Sequence, residues 1–175
     1  MTPLIEMILK LIKAFAPKPD LKLVPTPDFG DLPTPEPIPE PLWLIVARKE
    51  LGVKEYFYKQ NKRILEYHLA TTLSAKSQTT PWCASFVCWC LATAGFRSPN
   101  SARARDFLHW GMAINLPRIG CIVVLTRGDN DDSGHVGFWL GETANEYILL
   151  SGNTSNSVCF ANFDKRRLLG FRWPR

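Results

Sequence analysis

Thr80-Pro81-Trp82-Cys83-Ala84-Ser85-Phe86-Val87-Cys88-Trp89-Cys90-Leu91 is an apolar run with a helix start at its head and no breaker before Gly95. Thr80 is a good N-cap, and Pro81 suits the first helical position, where a missing N–H costs nothing. The expectation is a helix buried on nearly every side, because Trp82, Phe86, Val87, Trp89 and Leu91 leave it no polar face. Cys83 then falls in the first turn. Unpaired backbone N–H groups and the positive end of the macrodipole favour a thiolate there, which makes Cys83 a candidate nucleophile.

A nucleophile needs a base, and the chain has three histidines, His68, His109 and His135. His135 follows the turn-rich run Gly128-Asp129-Asn130-Asp131-Asp132-Ser133-Gly134 and opens Val136-Gly137-Phe138-Trp139-Leu140, which reads as a buried strand. A histidine at a strand mouth is fixed by the sheet yet open to substrate. His68 lies inside a helical pattern and reads as structural, and His109 reads as a surface or capping residue. The next strand, Tyr147-Ile148-Leu149-Leu150, ends in Ser151-Gly152-Asn153, where Asn153 is placed to hold an imidazole nitrogen. The order Cys, His, Asn is that of papain-like enzymes, whose catalytic partners are distant in sequence and adjacent in the fold.

Four segments carry a more specific resemblance: Trp82-Cys83-Ala84-Ser85-Phe86, Gly134-His135-Val136-Gly137-Phe138, Ser151-Gly152-Asn153 and Gly170-Phe171-Arg172-Trp173-Pro174. In this order they are similar to the CHAP-type (cysteine, histidine-dependent amidohydrolase/peptidase) peptidoglycan hydrolases, and within them to a phage endolysin-like or toxin-effector-like branch. The resemblance covers about residue 42 to the C-terminus. It implies a papain-like fold, hydrolysis of an amide bond in bacterial cell-wall peptide, catalysis by Cys83, His135 and Asn153, and substrate contacts from Trp82, Gly134 and Ser151. Gly120-Cys121 stands where such proteins often have Gly-Asp, and relatives also use Glu or Asp as the third catalytic member, so that position stays open.

Around the Cys83 helix the elements fall into helices first and strands after. Leu42–Leu51, closed by Gly52, and Asn61–Leu73, with Asn61 as cap, read as helices, and Ala104–Trp110 reads as a helical stretch. Strands are expected at 121–125, 136–140, 147–150, 158–160 and 168–173. This is the α+β class, with helices packed on an antiparallel sheet of about five strands. Glu55, between the first two helices, is a candidate for the substrate side.

Three parts are expected. Residues 1–16 carry Leu4, Ile5, Ile8, Leu11, Ile12 and Phe15 at the spacing of an amphipathic helix, too short and too charged to span a membrane. An anchor to a membrane surface, docking on a partner and packing on the enzyme's own body are all open, and the last two are favoured. Residues 17–41 hold nine of the fourteen prolines and read as an extended, semi-stiff linker. Residues 42–175 form the papain-like hydrolase domain.

Composition narrows the class further. A chain of 175 residues, 46% hydrophobic, suits one core of ordinary size. The net charge of +5 suits anionic surfaces, but no nucleic-acid recognition motif accompanies the arginines. Five cysteines are odd in number and lack the paired spacing of a disulfide framework. Cys83, Cys88 and Cys90 do not converge on one ion when helical, so neither a metal nor another cofactor is expected. Asp129 to Gly134 resembles the opening of a calcium loop, but its twelfth position is Leu140, and a polar hairpin loop is the simpler reading.

The expected partner is bacterial peptidoglycan, met by a monomer without a transmembrane span. With no secretory pattern at Met1, the expectation is synthesis in the cytoplasm and action in the periplasm or outside the cell after holin- or secretion-assisted delivery. Two other functions fit the same residues: a non-catalytic wall-binding module, and an acyltransferase on the same scaffold.

Overall fold

The computed structural model describes residues 39–128 and 131–175, within a unit that runs from Ile38 to Arg175. The helix expected over 1–16 and the linker up to residue 38 lie outside the described residues, as do Asp129 and Asn130. Three α-helices come first: α1 (Leu42–Lys49), α2 (Lys62–Leu69) and α3 (Cys83–Thr93). Six strands follow: β1 (Met112–Ile114), β2 (Ile122–Thr126), β3 (Gly134–Glu142), β4 (Glu146–Thr154), β5 (Ser157–Asp164) and β6 (Leu168–Trp173). Two 3-10 segments, Ala104–His109 and Lys165–Arg167, sit before β1 and β6.

All strand pairs are antiparallel, in the order β1-β6-β2-β3-β4-β5. The α+β class stands, with six strands instead of about five. The added strand, β1, has three residues and joins by pairing Met112 with Trp173 and Ile114 with Phe171. So short a segment carries no alternation of its own and is held by a partner some sixty residues away.

Local chemistry sets the helix limits. Asn61 caps α2, its side chain accepting from Arg63 N at 2.9 Å. Thr71 then donates both its N–H and its hydroxyl to the His68 carbonyl (3.1 and 2.9 Å), which ends α2 at Leu69, short of the expected Leu73. After α1, Gly52 takes φ +86° and its N–H reaches Val158 O at 3.0 Å, turning the chain onto β5.

α3 starts at Cys83 with Trp82 as N-cap, so Pro81 lies outside the helix, not at its first position as expected. Its residues from Cys83 to Cys88 are all buried, as are Cys90 and Leu91. The helix presses directly on the β4 backbone: a Cβ on Gly152 would lie 2.6 Å from Trp82 Cζ3 and 2.8 Å from Phe86 Cβ. Only glycine allows that approach.

β2 is buried on both faces, which is why Ile122-Val123-Val124-Leu125 is uninterruptedly apolar. Ile122 and Val124 join α1, α2 and α3 in the main core with Phe86, Phe138 and Leu150. Val123 and Leu125 face a second, smaller core with Tyr147, Leu149, Phe163 and Phe171. The candidate site lies where β3 passes the head of α3.

Candidate active site

Cys83 is the first residue of α3 and is 4% exposed. Its Sγ faces the backbone N–H groups of Val136 and Ala84, and its own. The Val136 contact depends on how the sheet opens. Among the described residues the β3–β4 ladder runs from Phe138↔Leu150 outward, so residues 134–137 are not tied to β4. The Val136 N–H is thereby left toward the head of α3, where it favours the thiolate of Cys83. The sulfur therefore rests against the peptide that joins His135 to Val136.

His135, the second residue of β3, is buried, and its ring stacks on Phe163 with centroids 4.9 Å apart. Its Nε2 lies 3.0 Å from Ser151 Oγ, and that hydroxyl lies 2.8 Å from Thr154 Oγ1. With Nε2–H donating to Ser151 and Ser151 donating to Thr154, Nδ1 is left as the lone-pair nitrogen, the state a general base requires. Nδ1 has no hydrogen bond of its own among the described residues, to Cys83 Sγ or to any other group. Gly137 makes room for this pair, since a Cβ there would lie 2.7 Å from Ser151 Cβ.

Electrostatics keeps both groups neutral at rest. Burial pushes the Cys83 thiol above its usual range, against the lowering effect of the Val136 and Ala84 N–H groups and the Arg127 cation. The thiolate expected from the first-turn position alone is thus corrected, because desolvation outweighs the helix terminus. His135 is pushed down to about 3, first by burial and then by the positive charges of Arg127 and Arg167. No carboxylate faces it from β3, β4 or β5, only hydroxyls and an aromatic ring. Hydroxyls orient an imidazole without stabilising its cation.

A cleft of about 310 Å³ opens on Cys83. Pro81, Ala102, Arg103 and Ala104 form one side, and Arg127, Asp132, Ser133 and Gly134 of the β2–β3 connection form the other. Arg103 pairs with Asp132 at 3.0 Å across it. Asp131, the next acidic residue of the suspected calcium loop, lies 3.9 Å from Arg105. A larger groove of about 690 Å³, rich in Trp43, Phe96, Trp139 and Trp173, holds no cysteine or histidine.

Of the residues singled out by sequence, Cys83 lies near the N–H of Val136, the residue after His135, and Gly134 lines the cleft with Cys83. Trp82 does not. It is wholly buried, its Nε1 donating to Glu55 Oε1 at 3.0 Å, so it wedges α3 against β4 and is not available as a substrate contact. Glu55 in turn holds that indole. Ser151 is also fully buried and touches the imidazole, not the cleft. Asn153 has φ +57° and no side-chain hydrogen bond among the described residues; the imidazole is held by Ser151 and Thr154 instead. His68 is buried at the α2–α3 contact, Nδ1 3.0 Å from Ser85 Oγ, and His109 is exposed. Thr154 and Arg127 were not legible beforehand, because no local pattern marks a hydroxyl or an arginine brought in by a hairpin.

Helices packed on an antiparallel sheet, with a cysteine heading the central helix and a histidine on the facing strand, define a papain-like α+β domain. The family model described as the CHAP domain matches residues 75–153, from the approach to α3 to near the end of β4. None of the curated proteins matches the chain. Among solved structures it is similar to a lipoprotein-like protein of the NLP/P60 family from Staphylococcus aureus subsp. aureus Mu50, at 16% identity and TM-score 0.45. That match covers 75% of this chain and 39% of the staphylococcal one. It is also similar to RipD from Mycobacterium tuberculosis, described as a non-catalytic NlpC/p60 domain protein adapted to peptidoglycan binding. There the identity is 10%, the TM-score 0.47, and the match covers 74% of this chain and 92% of RipD. No described helix is long and apolar enough to cross a membrane.

Proposed function

We propose that this protein is a peptidoglycan hydrolase that cuts an amide bond of the wall peptide through Cys83 and His135, with Ser151 holding the imidazole. The observation that supports the reading is that the Cys83 sulfur lies near the Val136 N–H, next in sequence to His135, whose Nε2 is 3.0 Å from Ser151 Oγ; Nδ1 is the nitrogen proposed to take the thiol proton.

In the proposed reaction the Cys83 thiol gives its proton to His135 Nδ1 as sulfur bonds to the carbonyl carbon. The first N–H groups of α3, which precede the Phe86-to-Trp82 helical bond, face the developing oxyanion. The imidazolium then protonates the amine as the C–N bond breaks, leaving a thioester. Water, deprotonated by the same imidazole, cleaves the thioester to a carboxylic acid and restores the thiol. Because both groups are neutral at rest, proton transfer and attack belong to one step, not to a preformed ion pair.

The described unit is taken as the catalytic part, with residues 17–41 as spacer and 1–16 as a docking element. Purified peptidoglycan treated with the protein should release peptides with new amino termini, identified by mass spectrometry, and Cys83→Ala should abolish both this release and clearing in a cell-wall zymogram. Sedimentation with walls without release of new amines would instead make it a binding module, and transfer to an added amine in place of water would make it an acyltransferase.

A further inference from the structure

Of the residues that line the cleft over Cys83, Arg103, Arg127 and Asp132 are charged. Asp132 is matched by Arg103, 3.0 Å away. Its neighbour Asp131 lies 3.9 Å from Arg105, so each of these two acids faces an arginine other than Arg127. Arg127 is exposed and has no ion pair among the described residues. The charged lining of the cleft is thus left with an unmatched cation, and it stands on the same cleft as the nucleophile. The backbone that leads into Arg127 is well fixed. Thr126, just before it, pairs with Gly134 on β3, and its carbonyl accepts from Nε and Nη2 of Arg167 at 3.0 and 2.7 Å. The Arg167 guanidinium in turn lies 5.3 Å from the centroid of Phe163, the ring on which His135 stacks. Arg127 therefore has an anchored base and a head open to solvent, and its charge is felt at both Cys83 and His135.

We propose that Arg127 is a specificity residue: it holds a carboxylate of the wall peptide beside the bond that Cys83 attacks, and so selects peptides in which that carboxylate is free over those in which it is an amide. This rests on the hydrolase reading above and names the substrate class of the same cleft. Because Arg127 and Cys83 line one cleft of about 310 Å³, a group held by the guanidinium belongs to the part of the substrate next to the scissile bond. A guanidinium presents its N–H donors as a planar fork that matches the two oxygens of a carboxylate. A primary amide offers it a single oxygen, no charge, and an NH₂ group whose donors oppose those of the arginine. The carboxylate form is therefore preferred by geometry and by charge together. Arg103 does not supply the same selection, since Asp132 already occupies it.

The test uses the full chain carrying Cys83→Ala, so that nothing is cut and the effect of Arg127 on the thiol drops out. It is titrated with one synthetic wall peptide in two forms, its carboxylates free or converted to primary amides. The free form should bind about tenfold more tightly, the worth of a hydrogen bond to a charged group. Adding Arg127→Gln should abolish that preference by weakening the free form alone, at unchanged Tm, and Arg127→Lys should keep part of it, having the charge without the fork. If Arg127→Gln melts lower, Arg127→Lys at the parent Tm must still show a reduced preference. Equal binding of the two forms by the parent, binding of neither, or a preference that survives Arg127→Gln overturns the proposal. Equal weakening of both forms also overturns it, since the arginine would then shape the cleft without reading the carboxylate. Binding is measured without a nucleophile, so the two readings fail separately. An unsubstituted protein that cuts walls while its Cys83→Ala form shows no preference keeps the hydrolase reading and loses this one; preference without any wall cleavage does the reverse.

Discussion

Ser151 Oγ lies 3.0 Å from Nε2 of His135, and the same hydroxyl lies 2.8 Å from Thr154 Oγ1. A relay of two hydroxyls fixes the ring without a charge behind it. Ser151→Ala should therefore lower kcat by about tenfold, the worth of one neutral hydrogen bond. His135→Ala should lower it at least about 100-fold, since proton transfer itself is lost. Asn153→Ala, with no bond to the ring, should stay within about threefold, inside the scatter of substitutions that remove no contact. A rate series on soluble wall fragments checks the order; a loss at Asn153 larger than at Ser151 would return the orienting role to the amide.

The Arg127 cation acts on both reacting groups, favouring the Cys83 thiolate and disfavouring the His135 imidazolium. Removing it should raise both ionisations. Arg127→Gln is expected to move the acid and the alkaline limbs of the kcat/KM profile to higher pH together. These limbs belong to the Cys83–His135 pair, so the direction of both shifts is the measurement, not an assignment of either to one residue. Added salt should reproduce part of the effect, because Arg127 is exposed and its field is screened.

Burial of a neutral imidazole also couples folding to pH. The folded protein holds His135 at about 3, against an ordinary value near 6.5 in the unfolded chain. Above about pH 6.5 neither state binds the proton. Between there and about 3 the unfolded chain binds it and the folded one does not, so stability falls as pH falls, by up to about 1.4 kcal/mol per pH unit for one proton. His68, also pushed down by burial, adds in the same direction. Urea midpoints collected from pH 7 to pH 4 should decline, and His135→Gln should flatten the decline.

α3 was legible because a run without a polar face has one place to go, and His135 because the turn-rich stretch before it announces a strand. The third catalytic position was not. Between Ser151 and Thr154 the β4–β5 register shifts, and Asn153 adopts a left-handed backbone, so the alternation read from Tyr147 onward does not predict which side chain reaches the ring. The same limit explains Trp82 and Cys83. A sequence shows that an indole adjoins the nucleophile and that a thiol begins a helix. It does not show that Gly152 lets the indole sink against β4, or that the same burial outweighs the helix terminus at the sulfur.

Two glycines separate the packing of this site from its chemistry. A Cβ on Gly152 would strike the Trp82 ring at 2.6 Å and Phe86 Cβ at 2.8 Å, both on the buried helix, so Gly152→Ala must displace α3. Overpacking of this kind costs about 1–3 kcal/mol, and the variant should show a clear fall in Tm along with lost activity. A Cβ on Gly137 would lie 2.7 Å from Ser151 Cβ and 3.0 Å from Leu150 O. Relief there requires Ser151 to move, which takes its hydroxyl off His135 Nε2 while α3 stays seated on Gly152. Gly137→Ala should thus lose activity out of proportion to Tm, and adding Ser151→Ala to it should cost little more than either change alone, because both break the same hydrogen bond. Additive losses in that double-variant comparison would mean that Gly137 guards something other than the hold on the imidazole.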